Sequence, residues 1–151
     1  MTWEEEHHIL LAIDCVSDGN TVGEPAADYG RQKPYNIVER TRLLALEVID
    51  FTQELIELRR WSLADQLFRS GTSIGANMSE SQQAESSRDF LHKVRIAAKE
   101  AKETRYWYSL CRDSPHLPYR NGSYEEADEI VAILSTIIAR LLANHPHLKK
   151  D

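Results

Sequence analysis

The chain has 151 residues and a net charge of −6, with 42% hydrophobic and 28% charged residues, a size and composition that fit one globular domain and exclude a disordered chain. No apolar run reaches the ~20 residues of a membrane span, the first residues lack the basic start of a secretory signal, and two cysteines are too few for a disulfide framework. We therefore expect a cytoplasmic protein.

The negative charge lies mostly at the amino end of the chain. Residues 1–30 contain seven acidic residues and no lysine or arginine, whereas residues 36–112 contain twelve basic and eleven acidic residues. Because a nearly neutral body can still present a basic face, the net charge does not exclude contact with nucleic acid.

The first predicted element is a short helix over residues 2–17. Thr2 and Glu5 have the spacing of a capping box, and apolar residues follow at helical intervals. Residues 21–34 are rich in glycine, proline and alanine and have no periodicity, which is typical of a linker. We therefore assign residues 1–35 to an acidic amino-terminal extension.

A long helix is predicted to begin after Asn36, which together with Glu39 has the spacing of a helix start. Its core face is a stripe of residues at alternating steps of four and three: Ile37, Thr41, Leu44, Val48, Phe51, Leu55 and Leu58. A neighbouring row is also largely apolar: Ala45, Ile49, Thr52 and Ile56. The apolar face is therefore wider than the ~100° that one core requires, which favours oligomerisation.

Three more helices are predicted to follow, over residues 62–84, 88–111 and 123–144. Ser123 and Glu126 have the spacing of a capping box for the last of them, which also has the strongest apolar periodicity in the chain.

The predicted fold is all-α, because no segment alternates between apolar and polar residues as a half-buried strand does. Four long helices with short connections predict an antiparallel, up-down four-helix bundle over residues 36–144, followed by a tail over residues 145–151.

The second helix contains an unusual run of glycines and poor helix formers between Arg69 and Glu80. Gly71 and Gly75 lie one turn apart, so we expect them to let a neighbouring helix approach closely. Residues 71–75 also match the Gly-x-Ser-x-Gly motif of serine hydrolases, but that motif requires a strand-to-helix turn that an all-helical chain does not offer.

One helical face of this run is polar, and it carries Ser70, Ser73, Asn77 and Glu80. If the second and third helices form a hairpin about residues 85 and 86, Ser70 and Ser73 face Ala101 and Ala98. Arg69 then lies level with Glu103, and we expect an ion pair between these two residues. A structural role for this strip is favoured, and a ligand site is the open alternative.

The third helix carries a row of basic residues at alternating steps of four and three, which we name the basic stripe: Arg88, His92, Arg95, Lys99 and Lys102. One interpretation is a solvated face that Glu100 and Glu103 compensate. The other is a face that contacts the phosphates of a nucleic acid. Trp107 and Tyr108, further along the helix, are candidates for interface anchors or for core residues.

No metal or cofactor site is predicted. The Glu5-x-x-His8 spacing occurs in di-iron bundles, but such sites need this motif on each of two helices and two further glutamates.

The stretch from Leu63 to Trp107 resembles the four-helix-bundle proteins of the 23S rRNA intervening-sequence family. The matching positions are Arg69, Ser70, Ser73, Ile74, Asn77, Glu80, Phe90, Glu100, Glu103 and Trp107. The resemblance extends over about residues 36–143, and Ser81 stands where the family usually has glycine.

The resemblance implies a bacterial, non-enzymatic bundle that assembles as a homopentameric ring. Members of the family are encoded within intervening sequences of large-subunit rRNA genes. A related branch is the accessory variability protein of diversity-generating retroelements, in which a pentameric basic barrel binds a reverse transcriptase and its template RNA.

Together these observations predict an oligomeric scaffold without catalytic residues that contacts RNA, a reverse transcriptase or both. The basic stripe is expected to contact phosphates. A structural polar network is expected to hold the bundle: Arg69, Ser70, Ser73, Asn77, Glu80, Glu100 and Glu103. The alternative is a protein-only interaction module in which RNA has no part and the acidic residues 1–30 engage the partner.

Overall fold

The computed structural model describes residues 36–150, apart from the side chain of Lys150. These residues form four long helices and a short 3-10 helix: α1 (Ile37–Glu57), α2 (Trp61–Ser81), α3 (Ser87–Asp113), α4 (Ser123–Asn144) and the 3-10 helix Pro146–Lys150. The four helices pack against one another in chain order, and α4 also contacts α1. The predicted all-helical fold is confirmed, and no strand occurs between residues 36 and 150. The predicted helix over residues 2–17 lies outside the described residues.

The helix starts follow local capping rules at α1 and α3. The side chain of Asn36 accepts a hydrogen bond of 2.8 Å from the backbone N–H of Val38, so this predicted cap is confirmed. The hydroxyl of Ser86 accepts a hydrogen bond of 3.2 Å from the backbone N–H of Asp89 at the start of α3.

The start of α4 differs from the predicted capping box. The cap residue is Gly122, which has a φ of 93° and provides no side-chain cap. Ser123 is instead the first helical residue, and its buried hydroxyl donates a hydrogen bond to Glu47 in α1. The predicted role of Ser123 was wrong because its hydroxyl joins two helices, while glycine adopts the left-handed conformation that begins the helix.

The apolar stripes predicted from periodicity fill the space between the helices. The largest fully buried side chains come from all four long helices: Tyr108, Phe51, Phe90, Ile37, Leu44, Leu55, Leu67, Ile74, Met78, Ile130 and Leu134. Leu58, the last residue of the predicted α1 stripe, is 54% exposed, because it lies at the carboxyl cap, where the helix has ended. In the residues that the structure describes, no helix is both long and apolar enough to cross a membrane.

The two glycines of α2 allow α1 to approach closely, as predicted. A Cβ atom added to Gly71 would lie 2.6 Å from Cγ2 of Val48, and one added to Gly75 would lie 3.2 Å from the carbonyl oxygen of Thr41. A larger residue at either position would therefore push α1 and α2 apart.

The register between α2 and α3 differs from the predicted hairpin. Thr104 Oγ1 donates a hydrogen bond of 3.0 Å to Ser70 Oγ, whereas the hairpin expected Ser70 to face Ala101. The two helices are therefore displaced by about one turn relative to the predicted arrangement.

The predicted ion pair between Arg69 and Glu103 does not form in this register. Arg69 Nε lies 3.4 Å from Asp65 Oδ2, one turn back on its own helix. Glu103 instead accepts a hydrogen bond of 3.2 Å from Trp107 Nε1. Both contacts join residues four apart, so each side chain finds its partner within its own helix.

Candidate nucleic-acid interface

The basic stripe lies along the outer face of α3, with four of its five side chains exposed and that of Arg95 half-buried. The opposite face of the helix, which carries Phe90, Val94 and Ala101, is buried in the core. At 1.5 Å per residue, the row from Arg88 to Lys102 is about 21 Å long. The structure thus brings the five predicted residues together as one surface.

The two acidic residues beside the stripe do not form ion pairs with it. The carboxylate of Glu103 is occupied by the indole of Trp107, and Glu100 is half-buried. Burial, and secondarily the charge of Glu103, raise the pKa of the Glu100 carboxyl, although Lys99 acts in the opposite direction. No salt bridge within the described chain joins either glutamate to Arg95, Lys99 or Lys102. Within the described residues, the charges of Arg95, Lys99 and Lys102 are therefore not paired with the two glutamates beside them.

An exposed aromatic ring extends the stripe at its carboxyl end. Tyr106 lies one turn beyond Lys102 and is 55% exposed, and its ring centroid is 5.0 Å from that of Trp107. Rows of cations that end on aromatic rings suit single-stranded nucleic acid, because bases stack on the ring. Tyr106 was not predicted from the sequence, although the step of four residues from Lys102 places it on this face.

The other two aromatic residues considered from the sequence have different environments. Tyr108 is fully buried and packs on Phe51, with 5.8 Å between ring centroids. Burial, and secondarily the charge of Glu47, raise the pKa of the Tyr108 hydroxyl well above its usual value. Trp107 is half-buried against the core. Of the three consecutive aromatics, Tyr106 is therefore the one available to a ligand.

The predicted polar network is divided into separate contacts. Ser70 accepts from Thr104, and Asn77 Nδ2 donates to the backbone carbonyl of Ser73 at 2.9 Å and to its hydroxyl at 3.2 Å. Glu80 pairs with Lys93 of α3. Two of these contacts join α2 to α3, whereas the contact of Asn77 stays within α2.

The most buried charged group of the described region, Arg40, was not predicted. Its side chain is 4% exposed, and its guanidinium donates to Glu126 at 3.0 and 2.8 Å and to Glu129 at 2.8 Å. Burial opposes the charge, but the hydrogen bonds to the two glutamates prevail and raise the pKa of Arg40. The signal in the sequence was an arginine between Ile37 and Leu44 on the apolar side of the helix.

Two kinds of reactive group were sought in the described residues, a metal-ligating cluster and a reactive thiol. Between residues 36 and 150, no group of three or more His, Cys, Asp or Glu side chains is placed to hold a metal ion. Cys111 is a free, buried thiol, and burial raises its pKa to about 11, so it stays protonated and unreactive at neutral pH.

Comparison with known proteins agrees with this architecture. The family model described as 23S rRNA-intervening sequence protein matches residues 33–138. A solved structure of a protein with unknown function from the S23 ribosomal protein family of Bacteroides thetaiotaomicron VPI-5482 is similar, with a TM-score of 0.63 and 32% identity over 68% of this chain and 95% of that one. No curated protein matches the chain. The family match spans well over half of the residues, and the chain belongs to the family of 23S rRNA-intervening sequence proteins.

Proposed function

We propose that this protein is a non-enzymatic, homo-oligomeric scaffold of the bacterial cytoplasm that contacts RNA through the basic stripe of α3. The observation that carries the proposal is the stripe itself, which ends at the exposed ring of Tyr106 and in which no carboxylate of the described residues pairs with Arg95, Lys99 or Lys102. Phosphate contacts by such residues supply most of the affinity of sequence-independent RNA binding.

The proposed subunit is an antiparallel, up-down bundle. Contacts between α1 and α4 support this direction. As the residue number rises along α1, the number of its partner in or just before α4 falls. Arg40 pairs with Glu129, Glu47 with Ser123, and Glu54 with Arg120 just before α4 begins.

The proposed assembly is a ring, with five subunits as the family resemblance implies. Its support is an apolar surface on the outer side of α1 and α2, where Leu46, Ile56, Trp61 and Phe68 are between 42% and 63% exposed. Apolar side chains of this size on adjoining helices are typical of a protein interface. A ring would repeat the basic stripe around its axis, and a reverse transcriptase is a second proposed partner of that surface.

The decisive test is RNA binding by a charge-reversed stripe, followed as the fluorescence anisotropy of a labelled single-stranded RNA. We expect Arg95→Glu with Lys99→Glu to lower the affinity at least about tenfold at low salt and to reduce the slope of log K against log salt by about 1.4, the value for two lost phosphate contacts. Native mass spectrometry of the same variant should show an unchanged assembly.

A matched control changes the net charge by the same amount away from the stripe. Arg60→Glu with Arg140→Glu alters two exposed residues outside α3, and this variant should bind RNA nearly as the original protein does. An equal loss of RNA affinity in both double variants would show that net charge, and not the basic stripe, causes the effect. Unchanged RNA affinity in the stripe variant would contradict the proposal. Salt-insensitive binding of a protein partner, lost when residues 1–30 are deleted, would favour the protein-only module.

A further inference from the structure

A cavity of about 460 Å³ opens at the amino end of the basic stripe. It lies where the first turns of α3 meet the 3-10 helix Pro146–Lys150. The residues that line it are Ser86, Arg88, Asp89, Leu91, His92, Arg95 and Leu148. This volume is within the range of sites that hold a small organic molecule.

The walls of the cavity differ in chemical character. Arg88 and Arg95 provide cationic groups and His92 provides a hydrogen-bonding ring, and Leu91 and Leu148 provide an apolar side. Both leucines are 3% exposed, so the apolar wall is fixed by the core. A ligand that fills this space needs a strongly anionic group joined to a body that tolerates apolar contact.

The lining also contains one carboxylate, that of Asp89. One carboxylate oxygen of Asp89 accepts a hydrogen bond of 3.3 Å from the backbone N–H of Glu85. Ser86 already caps the amino end of α3 by accepting from the backbone N–H of Asp89. Because the helix end is already capped, the anion-binding groups are side chains: the guanidinium of Arg95 and the ring of His92, with the guanidinium of Arg88 beside them and the carboxylate of Asp89 opposing them.

We infer that this cavity binds the terminal phosphate of an RNA strand together with the nucleotide that carries it. The inference rests on the proposed function and gives the stripe a defined starting point. A terminal phosphate carries between one and two negative charges at neutral pH and three free oxygens, and a guanidinium binds such a group with two parallel hydrogen bonds. The ribose and base would lie against Leu91, Leu148 and the ring of His92.

The asymmetry of the stripe supports an end-binding site. At the amino end of the basic stripe, Leu148 of the 3-10 helix forms one side of the cavity. At the carboxyl end, Tyr106 is exposed to solvent. Lys99 and Lys102 continue from the cavity along the same face of α3, where they would contact the phosphates of the next nucleotides. A strand that enters by its terminus accounts for both the enclosed end and the open row.

The test compares three forms of an internally labelled oligouridine of about ten nucleotides, a length within the range that single-strand-binding sites span. One form carries a 5′-phosphate, one a 3′-phosphate, and one has hydroxyls at both ends. We expect one phosphorylated form to bind about tenfold more tightly than the hydroxyl form, which is the worth of one hydrogen bond to a charged group. Uridine monophosphate with the phosphate at the matching position should abolish this advantage by competition, because it would occupy the cavity that holds the terminal nucleotide. Tighter binding of the phosphorylated strand than of this free nucleotide identifies the strand end, rather than a free nucleotide, as the source of the phosphate.

Two variants of the full chain locate the effect. Arg95→Gln should remove the advantage of the phosphorylated form, and Lys102→Gln should weaken all three forms by the same factor and keep their ratio. Thermal unfolding followed by circular dichroism checks that both variants remain folded. Equal binding of the three forms, or an equal loss of all three with Arg95→Gln, would overturn the terminal-phosphate site while leaving the proposed function in place. Failure of all three forms to bind would overturn the proposed function itself.

Discussion

The charged residues of the α1–α4 contact and those of the outer face of α3 are arranged in opposite ways. In the first region Arg40 is buried and donates to two glutamates of α4. In the second, Arg95, Lys99 and Lys102 face outward, and the glutamates nearest in sequence are turned to other groups or half-buried. Buried charges must be matched within the protein, so the unmatched charges on the surface are those available to a ligand.

The largest effect is expected from removing the matched charge. Arg40→Ala leaves two carboxylates of α4 without their shared partner, and because both are partly open to solvent we expect a loss of about 2–4 kcal/mol in the free energy of unfolding. Urea denaturation measures this change. The control is Arg42→Ala, which removes an exposed arginine paired with Glu39 three residues earlier. Similar losses in the two variants would contradict the distinction between buried and surface charge.

A smaller effect is expected at the aromatic end of the stripe. Tyr106→Ala removes the exposed ring and should weaken the binding of single-stranded RNA by about 1 kcal/mol, the lower range for one stacked base. Tyr106→Phe keeps the ring and should bind as the original protein does. Fluorescence anisotropy at fixed salt measures both variants. If the phenylalanine variant lost as much affinity as the alanine variant, the hydroxyl rather than stacking would explain the contact.

The smallest effect is expected from the glutamate beside the stripe, and it depends on pH. Burial raises the pKa of Glu100 in the folded protein, so the folded state binds the carboxyl proton more tightly than the unfolded chain does. The protonated carboxyl therefore favours the folded state at acid pH. This stabilisation is lost as the pH rises through the ordinary pKa and then through the raised pKa. Glu100→Gln should therefore stabilise the protein slightly at neutral pH and give no gain at acid pH, where the carboxyl is already protonated.

Thermal unfolding across that pH range measures the stability of the Glu100→Gln variant, and RNA binding at neutral pH gives a second readout. Removing a negative charge next to Lys99 should raise the affinity modestly, and the gain should shrink as salt is added. A variant that was less stable at neutral pH than the original protein would show that the carboxylate makes a favourable contact.

The basic stripe shows how much of the candidate site was predictable. Its five residues lie on one helix, so the helical period alone placed them on one face. Their cavity was not predictable, because Leu148 of the 3-10 helix lies far along the chain and closes it only through tertiary packing. Tyr106 was predictable but overlooked, since the step of four residues from Lys102 already gave its direction.

The amino-acid sequence by itself determined the helices, their apolar faces and the close approach at Gly71, because capping, periodicity and side-chain size are properties of neighbouring residues. Only the tertiary structure decided the register of α2 against α3 and the partners of the polar side chains. Arg69 pairs within its own helix, Ser123 donates to α1 instead of capping α4, and Arg40 is matched by two residues more than eighty positions away. Such choices depend on how whole helices fit together, and this fit is a sum over many contacts that no local pattern contains.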